Sequence, residues 1–463
     1  MPAPLDATPL NSSAAIGVEM EKLKDTVYPQ FNQDDIFLTR VPVRNDLKVS
    51  ARLCRIPLLV QPGAPFGQFV PDGTGDSMGV GGGEIYDEGV ATPVYFVQSV
   101  QVTKEAEWAT DSEEKSIVNV FKDAFKNNLK EFRTNLDGLA ASSSGAGDLG
   151  YVTATPGGSP PQGYLAVSNA NNFRAGSQYQ VVAGGVGGAI RGNILVLTAD
   201  LANNIIYTSP LSGLYWPVGT VDGDTLLVAG ANGQATLTYS PDRYTTASVA
   251  ASLNGVPAIN IASSTGDWFG IPRTTYPGVL NAEYVDAGTE ALTPQMVLLL
   301  ESLVQRVNGV EAEEMEEFIL TTNVDQITAW ELLGISSNSG IGGAGGTFSS
   351  TAFVPQEGSK DGDQRMDYLK KNRIKTIAGH EVIANIKSRQ GRVDFLSLKY
   401  WFRIETKPAG LYDVDGVTVF PLYGSDGGVA PTSVFYFVTG LQMCNDKPRG
   451  GAYIDTLALP NGF

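Results

Sequence analysis

The sequence is poor in the residues from which most active sites are built. A single histidine, His380, occurs in 463 residues, which removes imidazole clusters as metal sites and makes any Ser–His or Cys–His pairing depend on one side chain. Cysteine is nearly as scarce: Cys54 and Cys444 can make neither a disulfide framework nor a Cys-rich zinc site, and two buried thiols are expected. Charge is thin as well. Charged residues make up 17% of the chain and sum to −17, which disfavours a protein built chiefly to grip nucleic acid, although a local basic face remains open. No apolar run approaches membrane-spanning length, and MPAPLDATPLNSS at the N-terminus has neither the basic start nor the apolar stretch of a signal peptide. Folding in a reducing cytoplasm is expected.

What the chain does have is glycine (53), proline (26) and enough hydrophobic residues (42%) for a sizeable core. Many turns, strands and long loops follow, so the expected class is mixed α+β and strand-rich, with two or three domains.

Residues 1–49 hold a short candidate helix around Ala14 to Thr26 and then scattered apolar positions without a period, which reads as an extended arm. An arm cannot bury its own side chains and must lie on something else, a partner subunit being one candidate. β-Type runs at Ser50–Val60 and Pro93–Val102 suggest a long hairpin, separated by a glycine-dense stretch far longer than the usual loop of about 4–6 residues. The clearest helix starts at Thr110, where Thr110 and Glu113 have capping-box spacing, and runs to Gly138. Its stripe of Ile117, Phe121, Phe125, Leu129, Phe132, Leu136 and Leu139 is that of a one-sided helix.

Ser142 to Gly163 reads as a linker. A β-rich block follows over 175–262, with strands expected at Gln178–Val182, Asn193–Leu197, Thr225–Val228, Ala235–Tyr239 and Ala258–Ile261. Leu292–Gly309 is a helix capped by Thr293, with Pro294 at its first position. A strand at Phe318–Thr322 and a helix at Val324–Leu333 come next, the order of an α/β unit. A glycine-rich loop, a strand at Ile374–Ile377, an aromatic stretch at Phe395–Ile404 and strands at Gly416–Phe420 and Val434–Val438 complete the pattern.

Few constellations carry chemistry. Gly75-Asp76-Ser77-Met78-Gly79 has the spacing of a nucleophile elbow, but the glycines at 79, 81, 82 and 83 preclude the helix that such a serine needs. Gly184 to Gly188 lacks the Gly-Lys-Ser/Thr ending of a phosphate loop, and Asp413-Val414-Asp415-Gly416 and Asp222-Gly223-Asp224 read as turns rather than calcium loops. His380 reads as structural. Glu311, Glu313, Glu314, Glu316 and Glu317 form a solvated acidic run. Lys122, Lys126 and Lys130, with Arg133 beside them, repeat along one side of the long helix, either an ordinary wet face or a ridge meeting packaged DNA or a neighbour's acidic groups. Lys370, Lys371, Arg373 and Lys375 allow the same two readings.

The order of parts is a loose arm, a glycine-tipped hairpin, one long helix and an α/β unit. Together with GDWFGIPRTTYPG (266–278), FILTTNVDQITAWELLG (318–334) and LQMCNDKPRGGAYIDTLALP (441–460), it resembles the major capsid proteins of tailed bacteriophages with the Hong Kong 97 type fold. The resemblance implies an N-terminal arm at 1–49, an extended loop at 50–104 and a peripheral domain at 105–174 with its spine helix at 110–138. It further implies a β-rich insertion at 175–262, an axial domain at 263–440 and a C-terminal segment at 441–463 that returns to the peripheral domain.

The implied function is self-assembly into pentamers and hexamers of an icosahedral shell enclosing double-stranded phage DNA. No catalytic residue, cofactor, metal or membrane partner is implied. Partners would be the chain itself, a portal, a separate scaffolding protein, a decoration protein and, without sequence specificity, the packaged DNA. Its place would be the virion, after assembly in the host cytoplasm. Some members of the family lock their shells through a lysine of the extended loop, but no lysine lies between Lys48 and Lys104, so no such crosslink is expected. Two other readings stay open: another virion or surface structural protein (tail, decoration or surface-layer), and a serine hydrolase acting through Ser77.

Overall fold

The computed structural model of the protein describes residues 37–46, 48–50, 53–61, 63, 82–103, 117–154, 163–185, 188–209, 214–228, 252–263, 266–308, 317–328, 376–377, 380–423 and 429–458. The candidate helix at 14–26, the Ser77 motif, the strand expected at 235–239, the acidic run at 311–316 and the basic cluster at 370–375 lie outside the described residues, as does the Thr110 cap.

Along the chain come β1 (Lys48–Ser50), β2 (Leu53–Gln61), β3 (Ile85–Ala91), β4 (Val94–Thr103) and the long helix α1 (Ile117–Ser142). Then follow β5 (Asp148–Ala154), β6 (Tyr164–Val167), β7 (Gln178–Val182), β8 (Ile190–Asp200), β9 (Ile205–Ser209), β10 (Thr225–Val228) and the single turn α2 (Val256–Ile259). The next stretch holds β11 (Asp267–Trp268), β12 (Ile271–Pro272), the turn α3 (Pro277–Leu280), β13 (Glu283–Asp286) and α4 (Pro294–Asn308). The last elements are β14 (Phe318–Thr322), β15 (Thr376–Ile377), β16 (His380–Ala384), β17 (Val393–Ser397), β18 (Trp401–Leu411), β19 (Val419–Tyr423), β20 (Val429–Asn445) and β21 (Ala452–Asp455).

Three assemblies share the core. α1, about 39 Å long at 1.5 Å per residue, lays its apolar stripe on a four-stranded sheet with β20 at the centre, β4 on one side and β18 and β19 on the other. The contact is aromatic: Phe125 and Phe132 have ring centroids 5.2 and 6.3 Å from that of Phe437. The second assembly is a closed antiparallel barrel in the order β10-β5-β6-β9-β8-β7. Closure removes free edges, and the alternation of β-branched and large residues fills the interior with Val152, Leu165, Val181, Ile194, Val196, Ile206 and Leu226. The third is a six-stranded mixed sheet, β13-β21-β17-β14-β16-β15, with α4 packed on one face through Val297, Leu300 and Val304 against Phe318, Leu320, Phe395 and Ile454. Thr293 caps α4 as its sequence predicts, its hydroxyl accepting the N–H of Met296 at 3.4 Å.

Several expectations are corrected. The Ser50–Val60 run pairs with Ile85–Ala91 and not with Pro93–Val102, because β4 is taken as the outer partner of β20. α1 runs past Gly138 to Ser142: Gly138 is buried against Lys387, and Leu139, Ala140 and Ala141 extend the apolar face. Within the expected linker, β5 is a barrel strand, so the barrel is drawn from 148–228 rather than beginning at 175. The strand expected at Ala258–Ile261 is instead the end of α2. Gly255 begins that turn, where a Cβ would fall 2.5 to 2.9 Å from the carbonyl oxygens of Ser143, Leu139 and Ala140 around the end of α1, so only glycine lets the two backbones meet.

The span expected as one axial domain, 263–440, is divided. Residues 401–440 form the sheet under α1, whereas β13 to β17 build the six-stranded sheet. The C-terminal segment is divided likewise: Leu441 and Met443 share a core with Phe132, while β21 enters the six-stranded sheet between β13 and β17.

Candidate assembly surface

The end of the arm is fixed on its own chain. Phe37, Leu38 and Val41 are buried, and the carboxylate of Asp137 in α1 accepts the backbone N–H of Phe37 at 2.9 Å and of Leu38 at 2.7 Å. Its second oxygen accepts from Asn385 at 2.8 Å. Lys387, almost fully buried, donates its ammonium to the Thr134 carbonyl beside it. Burial pushes the Asp137 carboxyl above its ordinary range, against the pull of the Leu38 N–H, the Lys387 charge, Asn385 and the Phe37 N–H. Glu131, one turn and a half earlier, is also pushed up by burial and pulled back by Arg174 and Lys387. Beyond this anchor, residues 42–45 run beside β18: Arg44 N–H donates to the Arg403 carbonyl at 2.9 Å and Arg403 N–H to the Pro42 carbonyl at 2.8 Å.

The hairpin of β2 and β3 has two unlike faces. Cys54, Ile56 and Leu58 alternate inward with Gly89 and Ala91, and this face is buried on the chain's own 266–272 turn. A Cβ at Gly89 would come within 2.7 Å of the Trp268 ring, and Val90 N–H donates to the Phe269 carbonyl at 2.7 Å. The extended loop at these residues therefore finds its inward apolar contacts on its own chain. The outer face is different. Leu59 and Tyr86 are register partners, and with Ile85 and Val90 they stand 39% to 64% exposed.

On α1, the backbone of Lys122 is helical and its side chain lies outside the described residues. Lys126, Lys130 and Arg133 are exposed, each one residue on from Phe125, Leu129 and Phe132 and so about 100° around the helix from the apolar stripe. They line one open side of the helix as their spacing requires.

The remaining candidates fall into structural roles. His380 is buried on β16, edge-on to the Phe395 ring, with Nε2 3.9 Å from a Glu301 oxygen. Cys54 and Cys444 are buried thiols not joined in a disulfide; burial pushes the Cys444 thiol well up, and Cys54 adds to the shift. Asp413 accepts the Gly416 N–H at 2.7 Å, and Asp222-Gly223 is a tight turn with Gly223 at φ 85°, so both Asp-Gly sites are turns. Gly184 and Gly185 turn β7 into β8 with φ of 61° and 119°.

Sequence reading missed the buried Asp137, Lys387 and Asn385 group. Spacing gave no signal: Asp137 continues the line of Lys126, Lys130 and Arg133 along the polar side of the helix, where a carboxylate is expected to be wet.

No protein-family model and no curated protein matches the sequence. Among solved structures the chain is similar to a chain of the cyanophage A-1(L) capsid, at 13% identity over 94% of this chain and 95% of that one, with a TM-score of 0.47. It is similar to a chain of the capsid of a native GTA particle at 9% identity over 96% and 99%, with a TM-score of 0.44. It is also similar to a chain of an encapsulin complex from Synechococcus elongatus at 9% identity over 96% of both chains, with a TM-score of 0.42.

Proposed function

We propose that this chain is a shell-forming capsid protein that acts as a structural component and not as an enzyme. Copies associate into pentamers and hexamers of an icosahedral particle that encloses double-stranded phage DNA. The observation that carries the reading is the outer face of the β2–β3 hairpin. Its inner face is anchored on the body, yet Leu59, Ile85, Tyr86 and Val90 stand in solvent on the other side. Exposed apolar patches of this kind mark surfaces that meet another molecule. A two-faced strand pair of this sort gains its second burial from a neighbouring copy, so much of the particle's stability is intersubunit.

The wider reading follows from the same role. The particle would be the virion shell, assembled in the host cytoplasm with a portal, a separate scaffolding protein and a decoration protein. The ridge of Lys126, Lys130 and Arg133 would face either DNA or an acidic neighbour. With no lysine between Lys48 and Lys104, the shell would be held by burial and not by a lysine of this loop.

Electron microscopy of the purified full chain tests the proposal: closed shells support it, tubes or flat arrays favour a tail or surface-layer protein, and dispersed monomers reject it. Esterase activity abolished by Ser77→Ala would favour the hydrolase reading.

A further inference from the structure

Sheet edges invite pairing with another chain, and proteins normally blunt them with charge, proline, shortness or cover. Most edges here carry such a device. β19 contains Pro421, β15 is two residues long, and β1 is three. β13 bears Glu283 and Asp286, and β3 bears Asp87 and Glu88 with its Val90 N–H already taken by Phe269. The outer side of β18 meets the chain's own residues 42–45 at Arg403 and Glu405 and beyond them carries Lys407 and Pro408, and the barrel has no free edge.

β4 stands apart. Val94–Thr103, VYFVQSVQVT, is ten residues long and holds no charge and no proline. On one side it pairs with Thr432–Leu441 of β20 over its whole length; among the described residues nothing pairs with the other side. Phe96 and Val100 turn toward the core under α1, while Tyr95, Val97, Ser99 and Gln101 are exposed.

We propose that β4 is an edge at which two copies of this chain join, β4 to β4 and antiparallel, about a two-fold axis normal to the sheet. The inference rests on the self-association proposed above and names one of its contacts. Charge selects the partner. A chain of net charge −17 repels its own copies wherever acidic surfaces face each other, and β4 offers a stretch free of charge on which two copies can approach. Antiparallel pairing of one strand with itself is isologous, so a single sequence supplies both halves of a closed two-fold contact. The axis keeps both α1 helices on one face of the joined sheet and brings the two sets of Tyr95, Val97, Ser99 and Gln101 onto the other.

The geometry gives a sharp test. In such a pair a residue meets its own counterpart only at the axis. Single cysteines at each of residues 95–101 are made one at a time in the full chain, where Cys54 and Cys444 are buried, and the assembled particles are oxidised. A disulfide-linked dimer at one of these positions, with at least tenfold less at positions two residues away, is the expected result. The double variant Val97→Lys, Ser99→Lys is expected to lower particle yield at least tenfold with the melting of the subunit unchanged, because both side chains are exposed. Normal particles without a dimer at any position overturn the inference and leave the shell reading standing, as does a crosslink that mass spectrometry maps to a segment other than β4. Failure of the unaltered chain to self-associate overturns both.

Discussion

The carboxylate of Asp137 accepts the backbone N–H of Phe37 at 2.9 Å, across a hundred residues of sequence. The same oxygen takes Leu38 N–H, and Asn385 holds the other oxygen, so one side chain ties the end of the arm and the 385–389 segment to α1.

Removing that carboxylate leaves two buried N–H groups and the Asn385 amide without their acceptor. A buried donor left unsatisfied costs about 1–3 kcal/mol. Asp137→Ala is therefore expected to lower subunit stability by at least about that amount in urea unfolding, and Asp137→Asn, which keeps an acceptor oxygen, by clearly less. Equal losses in the two variants would show that the hydrogen bonds to Phe37 and Leu38 do not matter.

The same region predicts a pH dependence. Asp137 and Glu131 both hold their protons to higher pH in the folded chain than in the unfolded one, because burial raises them. Between the ordinary carboxylate range and the raised values the folded state binds more protons, so stability present at low pH is lost as pH rises through that window. Compared with the double variant Asp137→Asn, Glu131→Gln, the unaltered chain should gain stability as pH falls from neutral toward the ordinary carboxylate range. Unfolding midpoints that shift in parallel would contradict the assignment.

Much of the fold was legible where a strand or helix is marked by its own residues. Gln178–Val182, Thr225–Val228 and Phe318–Thr322 have the predicted bounds, and Thr293 caps α4 as its position before Pro294 suggests. Pairing was not legible. Val94–Thr103 is apolar enough to partner either β2 or β20, and only the length of β20 decides the matter. The barrel's closure was hidden for a related reason: Tyr164–Val167 is four residues long and gains its burial only from β5 and β9 on either side. The candidate surface was half legible. The basic ridge on α1 follows from helical spacing, whereas the anchoring of the hairpin depends on Gly89 meeting Trp268, a contact between segments far apart in sequence.

That contact yields a third prediction. A methyl group at residue 89 would stand 2.7 Å from the Trp268 ring and 3.1 Å from Phe269 Cβ. Overpacking a well-filled site costs about 1–3 kcal/mol, so Gly89→Ala should loosen the hairpin and speed proteolysis between residues 82 and 91. Val90→Ala, on the exposed side, should leave the cleavage rate unchanged. Protection at residue 89 equal to that of the unaltered chain would show that the hairpin is not held by this turn.

The basic ridge separates two neighbours. Lys126→Glu, Lys130→Glu and Arg133→Glu alter only exposed side chains of α1 and should leave subunit melting unchanged. If the ridge meets DNA, shells still form and filled particles release their genome at lower temperature and lower salt. If it meets an acidic surface of an adjoining copy, shell yield falls instead. A triple variant that matches the unaltered protein in both assays would make the ridge a plain solvated face.

The central claim is that this chain completes its burial on copies of itself. Mass measurement of the purified, assembled full chain tests it most directly. The account predicts one discrete particle mass that is a large integral multiple of the 49.1 kDa subunit. A stable species at the mass of one subunit, unchanged as concentration is raised, would contradict it.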